Sequence, residues 1–317
     1  MAVTDPSTAY EVEQAPKRGL ADLPVALLLA MRPRQWSKNL FVYAALIFTN
    51  NIPSSFTDHI RWHNFLITTL AFALYCLLSG GVYLMNDVID REQDRLHPEK
   101  RKRPIASGRL PWRIALIAGV IFGVGGVLAS FAINRNFGLL ALGYYLLHVA
   151  YTFAIKHMVL LDVFAIAAGF IFRAVAGALA INVAISVWLL VCTLQLALFL
   201  GFGKRRHELI SLEANAVNHR QILSQYSVPF LDQMISIVLG TLTVSYALYT
   251  ITSETARAHP GLVVTLPVVM YGIFRYLYLI HMEHKGGSPE TILKEDRPLQ
   301  FTLLIWIAAV IASFKLT

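Results

Sequence analysis

Nine apolar stretches of 18 to 25 residues, separated by short runs of Pro, Gly, Asn and charge, succeed one another along most of the chain. They lie near residues 39–56, 62–86, 112–132, 136–154, 159–181, 184–202, 229–250, 262–282 and 299–316. At about 1.5 Å rise per residue, helices of this length cross a bilayer core of about 30 Å. The pattern predicts an all-α, polytopic membrane protein with about nine transmembrane helices. Residues 1–19 are polar and mixed in charge and read as a disordered tail, leaving 20–317 as one transmembrane domain. Segment 20–31 is too short to cross and is expected to lie on the membrane surface as an amphipathic helix. Asp22 and Pro24 interrupt it, so no cleavable signal peptide is expected. In the third stretch Gly119, Gly123 and Gly126 form a small-residue stripe, expected to let helices approach closely.

Basic residues test the count. Of 27 Lys and Arg, 21 fall in the N-terminal flank or in loops after even-numbered stretches, and only Arg61, Arg135 and Arg257 fall in loops of the other parity. Under the positive-inside rule this places the N-terminus and the even loops in the cytoplasm and the C-terminus outside, in the cell membrane. The composition agrees, with 56% hydrophobic residues, 15% charged residues and mean hydropathy +0.57. A net charge of +8 would suit nucleic acid, but the basic residues sit between apolar spans, where they set topology and meet lipid headgroups or phosphate. No nucleic-acid partner is expected. Cys76 and Cys192 lie within apolar stretches without metal or disulfide spacing.

The polar residues are unevenly distributed, and the densest cluster is Asn86-Asp87-Val88-Ile89-Asp90-Arg91-Glu92-Gln93-Asp94. On a helix advancing about 100° per residue, Asn86, Asp87, Asp90 and Asp94 share one face. Three carboxylates side by side repel one another unless a cation joins them. They are hard oxygen ligands, and Mg²⁺ takes one or two protein carboxylates, completing its octahedron with water and phosphate oxygens. The pattern predicts a Mg²⁺ site at the membrane edge that handles a phosphorylated substrate, with Asp87, Asp90 and Asp94 as catalytic metal ligands assisted by Asn86.

Other loops supply the counter-charges a polyphosphate requires. Arg101 and Arg103 follow the acidic run directly; they read either as phosphate ligands or, with their basic neighbours, as topology determinants. The short fourth loop carries Tyr151 and Lys156 with Asp162 beyond it, and substrate contact is favoured over simple snorkelling of the lysine. Arg173 lies deep in the fifth stretch, too far from Asp162 to pair with it, so its partner is a structural acid or a bound anion. Lys204 and Glu208 stand four residues apart beside Arg205, spacing that suits an intrahelical salt pair or a second anion-binding wall.

The motifs Asn86-Asp87-x-x-Asp90-x-x-x-Asp94, Arg103-Pro104-Ile105-x-Ser107-Gly108 and the Tyr151/Lys156 loop resemble the UbiA superfamily of intramembrane prenyltransferases. Within it, Arg32 to Asn39 (including Lys38), Lys156-His157 before Leu161-Asp162, Arg173-Ala174-x-Ala176-Gly177, Gly203-Lys204-Arg205-x-x-Glu208 and Gly286 to Glu290 resemble its decaprenyl-phosphate phosphoribosyltransferase branch. The resemblance runs from about Arg32 to the C-terminus. It implies a helical bundle with a central cavity open to the cytoplasm, Mg²⁺ as cofactor, and transfer of phosphoribosyl from phosphoribosyl diphosphate to a polyprenyl phosphate in the synthesis of cell-envelope glycolipid precursors. Membrane lipids and a second copy of the chain are further implied partners. The superfamily's quinone and haem-side-chain prenyltransferases usually carry a second DxxxD motif after the sixth span, and here Lys204 and Glu208 occupy those positions. Two other readings stay open: transfer of a prenyl group from its diphosphate to an aromatic or other small acceptor, and a transporter or lipid-binding scaffold. The missing second motif weighs against the first, and acids confined to the membrane edge weigh against the second.

Overall fold

The computed structural model describes residues 22–49, 57–213, 221–283, 292–293 and 295–315, so the expected tail at 1–19 and the Gly286 to Glu290 motif lie outside the described residues. All regular structure among them is helical. The α-helices are α1 (Leu23–Ala30), α2 (Ala44–Phe48), α3 (His59–Ile89), α4 (Arg91–Leu96), α5 (Trp112–Ser130), α6 (Arg135–Phe153), α7 (Leu161–Ala180), α8 (Val187–Glu213), α9 (Val228–Thr252), α10 (Glu254–Ala258), α11 (Leu266–His281) and α12 (Arg297–Lys315). Among the described residues, seven helical segments are long and apolar enough to cross a membrane: α3, α5, α7, α8, α9, the run Pro260–His281 that ends in α11, and α12. The protein is an integral membrane protein.

Two expected spans look different. The first is a 3-10 segment, Pro33–Tyr43, continued by the five-residue α2. A 3-10 helix rises about 2 Å per residue, so these eleven residues cover roughly the length of fifteen in an α-helix. The other is α6, 19 residues long but carrying Arg135, Asn136, His148 and three tyrosines. Tyr144 and His148 turn inward, where their rings lie 4.1 Å apart. Segment α1 also departs from expectation. Its sequence LPVALLLA has no polar face, Ala26 and Ala30 pack inward, and Val25, Leu28 and Leu29 are exposed.

Helix α7 is the shared wall of two cores. Val163, Ala167 and Phe170 face a cluster with residues of α8, α9 and α11. Ala176 and Ala180 face a second cluster with Leu74, Tyr75 and Leu78 of α3 and Phe137, Ala141 and Tyr144 of α6. The small side chains on α7 let neighbours come close. A Cβ on Gly177 would lie 1.8 Å from the Val42 carbonyl oxygen, so only glycine admits the 3-10 segment here. The glycine stripe of α5 packs as expected, since a Cβ on Gly81 of α3 would lie 2.8 Å from both Gly119 O and Gly123 N. An apolar cavity of about 300 Å³, lined by Phe199, Leu239, Tyr276, Leu303, Trp306 and their neighbours, lies among α8, α9, α11 and α12.

Candidate active site

Helix α3 is 31 residues long, about 46 Å, and so outruns a bilayer core by several turns. Its surplus carries the acidic run beyond the apolar zone. The helix stops at Ile89, Asp90 takes φ −85° and ψ 4°, and α4 resumes at Arg91. The bonds Asp90 N–H to Asn86 O (2.9 Å) and Asp94 N–H to Asp90 O (2.8 Å) keep the helical spacing through the break. Asp87 and Asp94 therefore stay on one face, as expected from the sequence, and both are buried.

A cation from a distant segment meets each carboxylate. The loop after α4 folds back because Ile105, Ala106 and Leu110 are buried, Ile105 and Leu110 in a cluster with α1, α3 and α5. Burial of two such aliphatic side chains is worth ~1.5–3 kcal/mol each. The Arg95 Nε also donates to Ala106 O at 3.2 Å. This fold brings Arg103 Nη1 to 2.6 Å from Asp94 Oδ2 and 3.2 Å from Asp87 Oδ1. Arg32 donates to the same Asp87 oxygen, and its guanidinium lies 4.9 Å from the Tyr83 ring centre. It does so from φ 55°, in the left-handed region, just ahead of the 3-10 segment. Lys156, buried in the loop after α6, donates to Asp90 Oδ1 at 2.7 Å. Three acids and three cations are thus interleaved at one end of the bundle.

The four residues expected to share one metal face are not equally placed. Asp87 and Asp94 share one guanidinium nitrogen, whereas Asp90 is half-buried and turned to Lys156. Asn86 is half-buried in the last turn of α3. Among the described residues no three His, Cys, Asp or Glu side chains form a metal cage. Mg²⁺ does not need one: a carboxylate pair whose remaining partners are phosphate oxygens and water fits its habits, and Asp87 with Asp94 supplies that pair.

A second polar cluster adjoins through the chain that follows Lys156. Asp162, in the first turn of α7, is fully buried, accepting from Arg205 Nε at 2.8 Å and from Tyr226 Oη at 3.0 Å. Arg205 Nη1 also donates to Glu208 Oε2 at 2.6 Å. Asp162 is therefore an internal anchor for Arg205, with no open face for substrate. Glu208 pairs with Arg205, three residues away on the helix, and Lys204 is exposed. Burial pushes the Tyr226 phenol up to about 12, so near neutral pH it stays a hydrogen-bond donor. Tyr151 is half-buried in the last turn of α6 and Lys38 is half-buried in the 3-10 segment, while Arg101 is exposed.

Arg173 pairs with no acid among the described residues. Its Nε donates to Asn39 Oδ1, its Nη1 to Gly169 O and its Nη2 to Tyr144 Oη, each at 2.7 Å. All three acceptors are neutral, and Asn39 in turn donates to Cys76 Sγ and Ser79 Oγ at 3.2 Å each. This buried node ties α7, α6, α3 and the 3-10 segment together below the acidic cluster. Arg32, Asn39, Tyr144 and Tyr226 were absent from the residues expected to build the site. Arg32 and Asn39 carried a signal, as the two ends of the motif Arg32 to Asn39.

Comparison with known proteins agrees with this geometry. Residues 40–293 match the UbiA prenyltransferase family. The decaprenyl-phosphate phosphoribosyltransferase of Mycolicibacterium smegmatis is 31% identical over 299 residues, covering 91% of this chain and 92% of that protein. That of Corynebacterium glutamicum is 30% identical over 310 residues, covering 94% and 89%. Among solved structures, a UbiA homologue from Archaeoglobus fulgidus bound to DMAPP and Mg²⁺ superposes with a TM-score of 0.67 at 18% identity, over 92% of this chain and all of that one. The chain is a member of the UbiA prenyltransferase family.

Proposed function

We propose that the protein transfers the 5-phosphoribosyl group of phosphoribosyl diphosphate to the phosphate of a polyprenyl monophosphate, releasing diphosphate. The observation that carries this reading is the asymmetry of the two polar clusters. One presents carboxylates, Asp87 and Asp94, that suit a single Mg²⁺. In the other, the carboxylates Asp162 and Glu208 are both engaged by the buried Arg205, and the exposed charged group beside them is the cation Lys204. A prenyl diphosphate held by two metal faces would need acids on both sides. A Mg²⁺-diphosphate facing a second, metal-free phosphate needs the arrangement found here. The names of relatives about 30% identical over most of their length support the same pair of substrates.

Mg²⁺, when bound by Asp87 and Asp94, would offset the charge that develops on the departing diphosphate. Arg32, Arg103 and Lys156, already at the site on carboxylates, would turn to diphosphate oxygens and hold the leaving group in place. Lys204 would hold the acceptor phosphate opposite. That phosphate is largely dianionic at neutral pH, its second ionisation lying near 6, so its attack on ribose C1 needs no protein base. One C–O bond forms as the C–O bond to diphosphate breaks, with inversion at C1. In this reading the chain crosses the membrane nine times, counting the 3-10 segment and α6, with the N-terminus and site cytoplasmic, the C-terminus outside and the isoprenoid tail left in the bilayer.

The test is to supply purified protein with Mg²⁺, a polyprenyl phosphate and ribose-labelled phosphoribosyl diphosphate, and in parallel with a labelled prenyl diphosphate and an aromatic acceptor. Ribose label in the lipid fraction is expected. Prenyl label on the aromatic acceptor, with none from ribose in lipid, would reverse the assignment.

A further inference from the structure

Between Lys156 and α7 the backbone makes a turn that L-residues rarely adopt. Leu160 has φ 66° and ψ −46°, and the Leu161 N–H bonds back to Val159 O at 2.8 Å. Together these make a γ-turn of the strained hand, at a residue whose branched side chain gives it no ease there. Such a conformation persists only where its surroundings fix it, and strain of this kind gathers at functional sites.

One side chain fixes it from 66 residues away. The Leu160 N–H donates to Tyr226 Oη at 2.7 Å, and the same hydroxyl donates to Asp162 Oδ1, two residues further on. Tyr226 is 6% exposed and stacks on Phe230, so a phenylalanine would serve the packing as well as tyrosine does. The hydroxyl serves the turn and the Asp162 carboxylate just beyond it. On the other side of the turn the chain leads back through Ile155–His157 to Lys156, whose ammonium lies 2.7 Å from Asp90. Its direction depends on how the turn leaves α7.

We propose that Tyr226 is a positioning residue for the diphosphate site: its hydroxyl holds the Leu160 turn and, through it, presents Lys156 to Asp90 and to a bound diphosphate. This rests on the acidic cluster being a diphosphate site and is independent of which group is transferred.

The experiment is calorimetric titration of the full chain in detergent with inorganic diphosphate in excess Mg²⁺, for the wild type, Tyr226→Phe, Lys156→Met and the double variant. Tyr226→Phe is expected to weaken binding about tenfold, in the range for a hydrogen-bonded charged contact. Lys156→Met is expected to weaken it at least as much, and the double variant no more than Lys156→Met alone. Losses that multiply in the double variant, the signature of independent or general structural damage, would overturn the proposal. So would an unchanged affinity in Tyr226→Phe. Glycine adopts the Leu160 conformation without strain, so adding Leu160→Gly to Tyr226→Phe should return the affinity to near wild type. That pair carries the test if Tyr226→Phe alone does not fold, and failure to recover affinity there counts against the role. Wild-type protein that binds no diphosphate would overturn both this assignment and the site reading beneath it. Prenyl transfer in the labelling experiment would overturn the proposed reaction and leave Tyr226 in place.

Discussion

Replacing Arg103 with methionine should strengthen the binding of free Mg²⁺ while slowing turnover. Arg103 Nη1 stands 2.6 Å from Asp94 and 3.2 Å from Asp87, between two buried carboxylates. Oxygens sharing one nitrogen at those distances are about 5 Å apart, and at an effective dielectric of about 20 two unit charges there repel by ~3 kcal/mol. The arginine now offsets that repulsion, and any divalent ion must displace it. Arg32 stays on Asp87 in the variant and water enters the gap, so about half of the figure, ~1.4 kcal/mol or one tenfold step, is the expected gain in metal affinity. Diphosphate loses a ligand in the same change, so kcat/KM should fall by about tenfold to a hundredfold. The assay is Mn²⁺ binding followed by electron paramagnetic resonance, with Mg²⁺ as competitor, beside steady-state turnover on the same preparation. Metal affinity that falls together with turnover would refute the reasoning, because Arg103 would then support the metal instead of competing with it.

Asp90→Asn should lower turnover by on the order of 100-fold, since the amide cannot hold the Lys156 ammonium as a carboxylate does; near-normal rates in excess Mg²⁺ would remove Asp90 from the site. Lys204→Asp, at an exposed position, should cost about tenfold or more in kcat/KM through loss of a phosphate contact, with the melting midpoint unchanged. A lowered midpoint with normal turnover of the surviving protein would make Lys204 structural. Gly177→Ala places a methyl 1.8 Å from the Val42 carbonyl oxygen and should destabilise the fold by ~1–3 kcal/mol, read as a lower thermal midpoint in detergent. An unchanged midpoint would show that the 3-10 segment moves aside freely.

The parts of the fold visible in sequence are those that depend on local period. Apolar runs gave the long helices, and the 3.6-residue repeat placed Asp87 and Asp94 together, because residues seven apart share a face and the spacing survives the break at Asp90. The glycine stripe of α5 followed from the same period. Partners across the bundle were not legible. Arg32 and Asp87 are separated by 55 residues and Lys156 and Asp90 by 66, and no periodic signal links them. Arg173 illustrates the limit. A charge deep in a span implies a partner, but the partners proved to be a buried amide, a phenol and a backbone carbonyl that composition does not distinguish. Lys204 and Glu208 had the right spacing for a pair, and the nearer guanidinium of Arg205 took the carboxylate instead. The first span failed as an α-helix because Pro33 and the polar residues through Asn39 precede an approach to Gly177 too close for regular packing. Hydropathy does not register such an approach.

The most direct test of the account is a structure of the full chain with Mn²⁺ and phosphoribosyl diphosphate, the metal located by its anomalous scattering. One metal is expected, bridging Asp87 and Asp94 to the diphosphate, with Arg103 and Lys156 moved from carboxylate to phosphate oxygens and Lys204 facing the ribose from the opposite side. A metal bound away from Asp87 and Asp94, or a second metal beside Glu208, would contradict it.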